Sequence, residues 1–357
     1  MKNFFGMTLE ETREYMRSIG ETPAKGVFLF KKIYGHDLDA TRENISPALM
    51  EKVKTDLDMY IPETVCTSES SDACKYLFKL RDGNTVESVV MKYSFGTGIC
   101  VSTQVGCNMG CVFCQSGKLK KVRDLTPEEI VGQVVAVRSA TGEWPKNIVV
   151  MGIGEPLDNM ENVIRFIEII TEPFGAGYGS KHITVSTCGV ADKIKTFTER
   201  VNVNLAVSLH APYDELRDRL MPVNKAWPLE QLMGELQKVR DARPSNAARI
   251  TFEYLLIDGV NDSDECARML ADLIKPVNGY VNLIPYNEPA SDGDASGGDA
   301  SGGDGSGFRK SPEERKNRFF DILMQRGCMT TVRREFGAGM NAACGQLKAS
   351  YGKYAGK

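Results

Sequence analysis

Three cysteines, Cys107, Cys111 and Cys114, crowd into one short stretch of the chain. Their C-x3-C-x2-C spacing places them on one loop, directly after an apolar run that predicts a β-strand. Three thiolates on one loop can each bind one iron of a cubane cluster, which leaves the fourth iron open to another ligand. Zinc is a poorer fit because the loop contains no histidine, and buried, inert cysteines are the remaining alternative. The spacing therefore favours an iron-sulfur cluster.

Several later apolar runs are followed by glycine or polar residues where predicted strands end. Glycines in the segment 151–156 (MGIGEP) would let the backbone approach a ligand closely, and Glu155 could accept hydrogen bonds from an ammonium group or a ribose hydroxyl. Singly, each such residue is more often a cap or turn residue. Because strand ends build the active site in barrel-like folds, their recurrence predicts a binding site. Its candidate residues are Gly154, Glu155, Ser186, Ser208, Leu209, His210 and Asn287.

The elements that must position these residues follow from an alternation of segments. From residue 99 onward, apolar β-rich runs alternate with helix-length amphipathic segments, which is typical of parallel βα units. Six such units suit a partial barrel better than a closed barrel of eight strands. The predicted fold is therefore α/β, a partial (β/α)6 barrel with strands at 99–105, 148–151, 183–185, 203–209, 250–257 and 281–284.

Helix start signals occur both before and within the predicted barrel. The first 70 residues are expected to form a small helical accessory domain, in which Thr8 and Glu11 have the spacing of a capping box. A hydroxyl residue followed by proline and two glutamates predicts further helix starts at Thr126 and Ser311.

A hairpin is expected between the helical part and the barrel. Segments 76–80 and 85–90 have strand composition, and the turn at 82–84 (DGN) joins them. The predicted organisation is an N-terminal helical domain at 1–70, a hairpin linker with Glu87 at 71–97, a barrel core at 98–335 and a C-terminal tail at 336–357.

Composition and charge limit the class of protein. With 357 residues, 42% of them hydrophobic, the chain can bury one large core and a smaller accessory module. A net charge of -3 gives no overall attraction to nucleic acid, so RNA contacts would depend on local basic patches. Neither end shows a charged segment followed by an apolar run, and no stretch of about 18 residues is apolar. The ten cysteines are too sparse for a disulfide scaffold. A cytoplasmic protein without membrane spans is expected.

The stretch 291–307 is a low-complexity tract of Gly, Asp, Ser and Ala. It has almost no apolar surface to offset the entropy of ordering, so a disordered loop is predicted. Calcium binding by its four aspartates is the alternative, which is disfavoured because the tract lacks the glutamate and spacing of a calcium loop.

Segments spread over most of the chain resemble one family, the radical S-adenosylmethionine (SAM) RNA methyltransferases that act on adenine C2, with their relatives that act on adenine C8. The resemblance rests on the cysteine triad with Phe113, and on CVSTQVGC (100–107), MGIGEP (151–156), VST (185–187), SLHAP (208–212), VNLIPYN (281–287) and AACGQL (342–347). It implies a radical SAM barrel in which the cysteine triad holds a 4Fe-4S cluster and SAM chelates the open iron. The candidate residues at the strand ends would contact SAM.

The same resemblance implies a reaction through a methylated cysteine. One SAM would methylate Cys344, and a second would yield the radical that removes hydrogen from this methyl group, so that each turnover uses two SAM. The carbon would then add to adenine, Glu87 would take the ring proton, and Cys100 would release the product by forming a disulfide with Cys344. By pattern alone, Glu87 would be an ordinary exposed strand residue and Cys344 an inert thiol.

The implied partners are 23S ribosomal RNA, transfer RNA and an electron donor such as flavodoxin or ferredoxin, and a monomer is expected. The target base must be unstacked and inserted into the cavity, so basic residues should frame its entrance. Candidates for phosphate contacts are Lys118, Lys120, Lys121 and Arg123 after the cysteine loop, and Lys25, Lys31 and Lys32 in the helical domain.

Some positions depart from the usual family pattern and leave the RNA and the target carbon open. Gln115-Ser116 stands where Ala-Thr is common, Cys188 replaces serine, and Met340-Asn341 replaces an acidic pair. The alternatives are C8 methylation by the same mechanism, a radical SAM enzyme with another substrate, and an iron-sulfur RNA-binding protein without methyl transfer. The pairing of Cys100 with Cys344 argues against the last, because binding alone needs neither thiol. The Gly-Glu-Pro motif favours C2.

Overall fold

The N-terminal part of the chain is helical. The computed structural model describes residues 1–35, 45–242, 250–287, 307–334, 336 and 347. After a short 3-10 turn, the described helices here are α1 (Leu9–Ser18), α2 (Ala24–Tyr34) and α3 (Pro47–Asp56). The predicted capping box is confirmed at the start of α1, where the Thr8 and Glu11 side chains each accept a hydrogen bond from the other residue's backbone N–H.

A sheet of ten described strands forms the centre of the molecule. The first four strands are antiparallel neighbours, and every neighbour from β4 to β12 is parallel. The small pair β5 and β6 lies outside this sheet. The strands are β1 (Glu63–Glu69), β2 (Ala73–Lys79), β3 (Thr85–Tyr93), β4 (Gly96–Cys100), β5 (Gln104–Val105), β6 (Arg123–Asp124), β7 (Asn147–Val150), β8 (Ile183–Thr187), β9 (Asn204–Ser208), β10 (Ile250–Leu256), β11 (Tyr280–Pro285) and β12 (Thr330–Val332).

Helices connect the parallel strands, as the alternating pattern predicts. They are α4 (Pro127–Thr141), α5 (Met160–Thr171), α6 (Ala191–Arg200), α7 (Asp214–Leu220), α8 (Leu229–Ala242), α9 (Asp264–Ile274) and α10 (Glu313–Gln325). Each of the six predicted runs contributes a parallel strand, so the α/β prediction is confirmed. Within the described residues, β1 and β12 do not pair, and the sheet is open.

Strand boundaries differ from the sequence-based prediction in two places. The first predicted strand, 99–105, ends at Cys100, and its last two residues form β5, which pairs with β6. A seventh parallel strand, β12, pairs with β11. Three residues are too few to show a periodic pattern, which explains why the sequence did not reveal β12.

The two predicted helix starts in the barrel have different outcomes. α4 begins directly after Thr126, whose N–H donates to the Glu129 carboxylate over 3.0 Å, so the predicted helix start is confirmed. The prediction that Ser311 caps α10 is wrong. Its hydroxyl donates instead to the buried carboxylate of Asp262 over 2.7 Å, and α10 begins after Pro312 without a side-chain cap.

The hairpin and the N-terminal helices pack closely on the barrel. Strands β2 and β3 pair in antiparallel register across the predicted turn, which confirms the hairpin. Phe4 packs on Phe30 with ring centroids 5.3 Å apart, and Tyr34 stacks on Trp144, which belongs to the barrel. These rings join the two parts in one hydrophobic core.

Two predictions from composition concern the length of helices and the low-complexity tract. None of the described helices is both long and apolar enough to cross a bilayer. The predicted loop at 291–307 lies outside the described residues except for Gly307.

Candidate active site

The three cysteines lie on a loop between β5 and β6 whose backbone is tied to its surroundings. Gly106 opens the loop with a φ of 75°, and a Cβ there would lie 2.1 Å from a backbone oxygen, so only glycine fits. The N–H of Cys107 donates to the carbonyl of Leu119, and the N–H of Val112 donates to the carbonyl of Leu220. The second bond connects the loop to the end of α7.

The chemistry of these thiols suits an iron-sulfur cluster. Burial raises the pKa of Cys107 to about 11 and that of Cys111 still higher, and the neighbouring thiol of Cys114 adds to both shifts. The thiols of Cys107 and Cys111 therefore keep their protons until cations replace them, and binding iron would release protons. Within the described residues, no three His, Cys, Asp or Glu side chains converge on a single point. A cubane does not require this, because each thiolate binds a different iron.

A cavity opens at the carboxyl ends of the parallel strands. It contains about 1410 Å³ of space, including its open mouth. Cys107, Cys111 and Cys114 line it, together with Cys100 and six of the predicted SAM contacts, namely Gly154, Glu155, Ser186, Ser208, His210 and Asn287. The side chain of Leu209 is fully buried in the core behind the wall.

Gly154 and Glu155 hold neighbouring strand ends together. Gly154 has a φ of 111°, and a Cβ there would lie 2.6 Å from the Cβ of Gln104. The close backbone approach that this glycine allows is therefore made to another part of the protein chain. The buried carboxylate of Glu155 accepts hydrogen bonds from the backbone N–H groups of Leu157 (2.9 Å) and Cys188 (2.7 Å). Burial raises the pKa of Glu155, although these hydrogen bonds oppose the shift. The same carboxyl group borders the cavity.

His210 offers the cavity a neutral ring. Its Nδ1 accepts a hydrogen bond from the N–H of Leu255 over 3.0 Å, so a neutral ring carries its proton on Nε2. Burial, followed by the nearby charge of Arg217, lowers the pKa of His210 to about 3. The ring stands edge-on to Phe113, with centroids 4.8 Å apart. His210 can therefore supply one hydrogen-bond donor without a charge.

Arg217, on α7, is a site residue that the sequence analysis missed. It is fully buried, and its guanidinium donates to the carbonyls of Cys188 (2.7 Å), Ser208 (3.2 Å) and Leu209 (3.2 Å) and to the amide of Asn224 (2.8 Å). Arg217 thus connects the ends of β8 and β9. Nothing in its local sequence distinguishes it from a solvated helix arginine, so no sequence signal could have identified it.

Two of the predicted catalytic residues, Cys100 and Glu87, differ in whether they line the cavity. Cys100 is 9% exposed and lines the cavity. Glu87 is on the same face of the sheet as Val89, which borders the cavity, but Glu87 itself does not. The carboxylate of Glu87 is 2% exposed and lies 3.3 Å from the ammonium group of Lys75. The pattern-based view of Glu87 as an exposed residue is therefore wrong, because this ion pair allows its burial.

The C-terminal tail contacts both the cluster loop and the cavity. Leu347 is buried with Cys100 and Phe336 in a small apolar cluster, and its carbonyl accepts a hydrogen bond from the hydroxyl of Ser116 over 2.8 Å. Ser116 is one of the departures from the family pattern. Cys344 lies outside the described residues, and the nine described cysteines form no disulfide with one another.

The predicted phosphate contacts near the loop are not equivalent. Lys121 pairs with the carboxylates of Asp124 and Asp158, and Arg123 forms ion pairs of its own with two further carboxylates. Lys120 is exposed at the surface. Charges already paired within the protein contribute less to phosphate binding, so Lys120 is the stronger candidate.

The parallel βα sheet, the three-cysteine loop after its first parallel strand and the cavity at the strand ends define the class of protein, a radical SAM enzyme. The family profile described as "Radical SAM superfamily" matches residues 101–270. A solved structure, "Crystal Structure of a radical SAM methyltransferase from Sphaerobacter thermophilus", is similar over 98% of this chain and 100% of that chain, with a TM-score of 0.84 and 36% identity.

Curated relatives resolve the class further. A protein of Thermoanaerobacter sp. (strain X514) is 46% identical, over 98% of this chain and 99% of its own. A protein of Clostridium perfringens (strain SM101 / Type A) is 40% identical, over 100% of this chain and 99% of its own. Both are named "Probable dual-specificity RNA methyltransferase RlmN". The chain belongs to the dual-specificity RNA methyltransferase family of radical SAM enzymes.

Proposed function

We infer that this chain methylates C2 of an adenosine in 23S ribosomal RNA, and also in transfer RNA, through a methylated Cys344. The observation that carries this proposal is the single cavity lined by the cluster cysteines and Cys100, with Leu347 of the tail packed beside it. Leu347 is three positions after Cys344 in the chain, which limits the distance between their Cα atoms to about 11 Å. The names of the curated relatives support the RNA substrate.

The residues around the cavity fit the implied cofactors. The cysteine triad would hold a 4Fe-4S cluster, and Gly154, Glu155, Ser186, Ser208, His210 and Asn287 would hold SAM, with Leu209 behind them. When bound, these groups supply a methyl group, an electron and a hydrogen-abstracting radical. We assign two SAM to each turnover, flavodoxin or ferredoxin as electron donor, and a monomer as the working unit. The neutral ring of His210 would orient a ligand without adding charge.

Cys344, Glu87 and Cys100 would act in sequence on the RNA. Once the carbon on the sulfur of Cys344 is joined to adenine C2, the carboxylate of Glu87 would take the ring proton, and the unpaired electron left on the ring would return to the 4Fe-4S cluster that supplied it. The thiolate of Cys100 would attack the sulfur of Cys344. The sulfur-carbon bond breaks, its electrons pass to the carbon, which gains a proton, and a Cys100–Cys344 disulfide remains. Because Glu87 does not border the cavity, its side chain must move towards the substrate.

The test is mass spectrometry of nucleosides from ribosomal RNA after anaerobic incubation with the reconstituted protein, SAM and a reductant. We expect 2-methyladenosine with the wild type and none with Cys344→Ala. Cys328→Ala is the matched control, because Cys328 is buried beside α9, away from the cavity. Formation of 8-methyladenosine would change the assigned carbon, and formation of 5'-deoxyadenosine without any methylated adenosine would overturn the proposed substrate.

A further inference from the structure

An exposed aromatic ring is connected to the wall of the cavity through two further rings. Phe95, in the turn between β3 and β4, is 64% exposed. Its ring stacks on Tyr93, with centroids 4.9 Å apart and planes at 17°. Tyr93 meets Phe336 edge-on at 4.8 Å, and Phe336 lines the cavity. Phe95, Tyr93 and Phe336 therefore form a continuous aromatic ladder from solvent to the cavity.

Basic side chains surround this aromatic ladder. Arg333 and Arg334 line the cavity, and the guanidinium of Arg334 lies 5.2 Å from the ring centroid of Phe336. Among the described residues, Arg334 is exposed and forms no ion pair with a carboxylate. The exposed Lys146 lies against Gly96, next to Phe95 in the chain. The surface therefore combines a flat apolar ring with positive charge.

These features match the chemistry of single-stranded nucleic acid. A nucleobase presents an apolar face that stacks on aromatic rings, and its phosphates are attracted to arginine and lysine. A target base that is drawn into a cavity leaves its neighbours in the strand unstacked. Such a neighbour needs a flat surface, which Phe95 provides at the solvent end of the aromatic ladder.

We propose that Phe95 is a stacking platform for a nucleobase adjacent to the target adenosine, with Arg334 contacting the neighbouring phosphate. This inference rests on the proposed RNA substrate. Base stacking on an aromatic residue contributes about 1–3 kcal/mol by alanine substitution, so losing the ring should weaken RNA binding by about 5- to 150-fold.

The experiment measures fluorescence anisotropy of a labelled RNA hairpin with adenosines in its loop, titrated with the full-length protein after anaerobic cluster reconstitution. We expect Phe95→Ala to weaken binding and Phe95→Trp to retain it. Met329→Ala is the matched control, because Met329 is 56% exposed and belongs neither to the aromatic ladder nor to the residues that line the cavity. Placing 2-aminopurine at each loop position in turn should give one quenched position with the wild type and none with Phe95→Ala.

Salt dependence separates the two contacts. Phe95→Ala removes no charge, so it should leave the slope of log Kd against log salt unchanged, whereas Arg334→Gln should reduce that slope by about one phosphate contact. Unchanged RNA affinity of Phe95→Ala, in a protein whose wild type binds and methylates RNA, would overturn the platform alone. A Phe95→Ala defect confined to reduction by flavodoxin would also overturn it, in favour of a protein-docking surface. Absence of RNA binding by the wild type would overturn both proposals.

Discussion

Two charged side chains near the candidate active site, those of Lys75 and Glu87, are deeply buried. The ion pair of Lys75 and Glu87 is 7% and 2% exposed, and each charge loses its hydration on folding. Attraction between the two compensates for that loss only while both partners are present. Lys75 is therefore the residue that keeps a carboxylate within the sheet, near Cys100.

Replacing Lys75 tests this dependence. We expect Lys75→Met to lower the free energy of unfolding by about 3–5 kcal/mol, because the Glu87 carboxylate would be left buried without a counter-charge. Thermal unfolding followed by circular dichroism measures the effect, and Lys79→Met, at an exposed position of the same strand, is the control. The double variant Lys75→Met/Glu87→Gln should recover part of the loss. Equal destabilisation by the single and double variants would contradict the argument.

His210 makes stability depend on pH in a defined direction. Its pKa is about 3 in the folded protein, against 6.5 for a histidine in the unfolded chain, so the unfolded chain binds the proton more readily. The resulting stability is present above pH 6.5 and is lost as pH falls towards 3, by roughly 3 kcal/mol between pH 7 and pH 4.

His210→Asn should remove this part of the pH dependence. Asparagine can accept a hydrogen bond near the position of Nδ1 and tolerates the positive φ of 56° at this residue. Denaturant unfolding at a series of pH values, compared with the wild type, gives the difference directly. Parallel stability curves for the two proteins between pH 7 and pH 4 would show that His210 is not the responsible group.

Among the secondary-structure elements, α7 organises the site although it contributes little to the cavity wall. Its Arg217 binds the strand ends of β8 and β9, and its last residue, Leu220, accepts a hydrogen bond from the cysteine loop. A short helix thus connects the predicted SAM contacts with the cysteine loop. Its removal should affect both together.

Arg217→Met is the corresponding test. Hydrogen bonds to a charged group contribute about 1.5–3 kcal/mol each, so we expect a loss of about 3 kcal/mol or more and a reduced iron content after reconstitution. Arg219→Met, an exposed position on the same helix, should change neither quantity. Thermal unfolding and iron analysis measure the two effects. Normal iron content in a destabilised Arg217→Met protein would limit its role to folding.

At the scale of the whole molecule, distant parts of the chain meet over the cavity. The hairpin contributes Val89 and Met91, the barrel contributes Cys100 and Ile153, and the tail contributes Leu347 to one apolar cluster. Burying a leucine contributes about 1.5–3 kcal/mol, which favours the docked tail by roughly 10- to 100-fold. On the proposed mechanism, docking of Leu347 would control the approach of Cys344 to its partners.

Leu347→Asp should separate radical formation from methyl transfer. A carboxylate in the apolar cluster would disfavour docking, so 5'-deoxyadenosine should still form while the yield of methylated adenosine falls about tenfold or more. Leu347→Met, which preserves an apolar side chain, is the control. Liquid chromatography of both products from one reaction provides the ratio. An unchanged ratio in Leu347→Asp would exclude tail docking as a determinant of methyl transfer.

The sequence by itself determined the class of the protein and most of its candidate site. Cysteine spacing is local, so the triad could be identified without a fold, and the alternation of apolar runs with helical segments predicted the parallel strands. Because strand ends of parallel units meet at one edge, Gly154, Glu155, Ser186, Ser208, His210 and Asn287 could be grouped before their positions were known.

Only the tertiary structure decided which groups are buried together. Glu87 occupies a strand position that the sequence pattern predicts to be exposed. Its burial depends on Lys75, which the register of β2 and β3 brings beside it. Arg217 is an ordinary helix residue in sequence, and the folding of β8 and β9 gives it carbonyl partners. Burial and electrostatic pairing arise between residues far apart in the chain, and for that reason local patterns do not encode them.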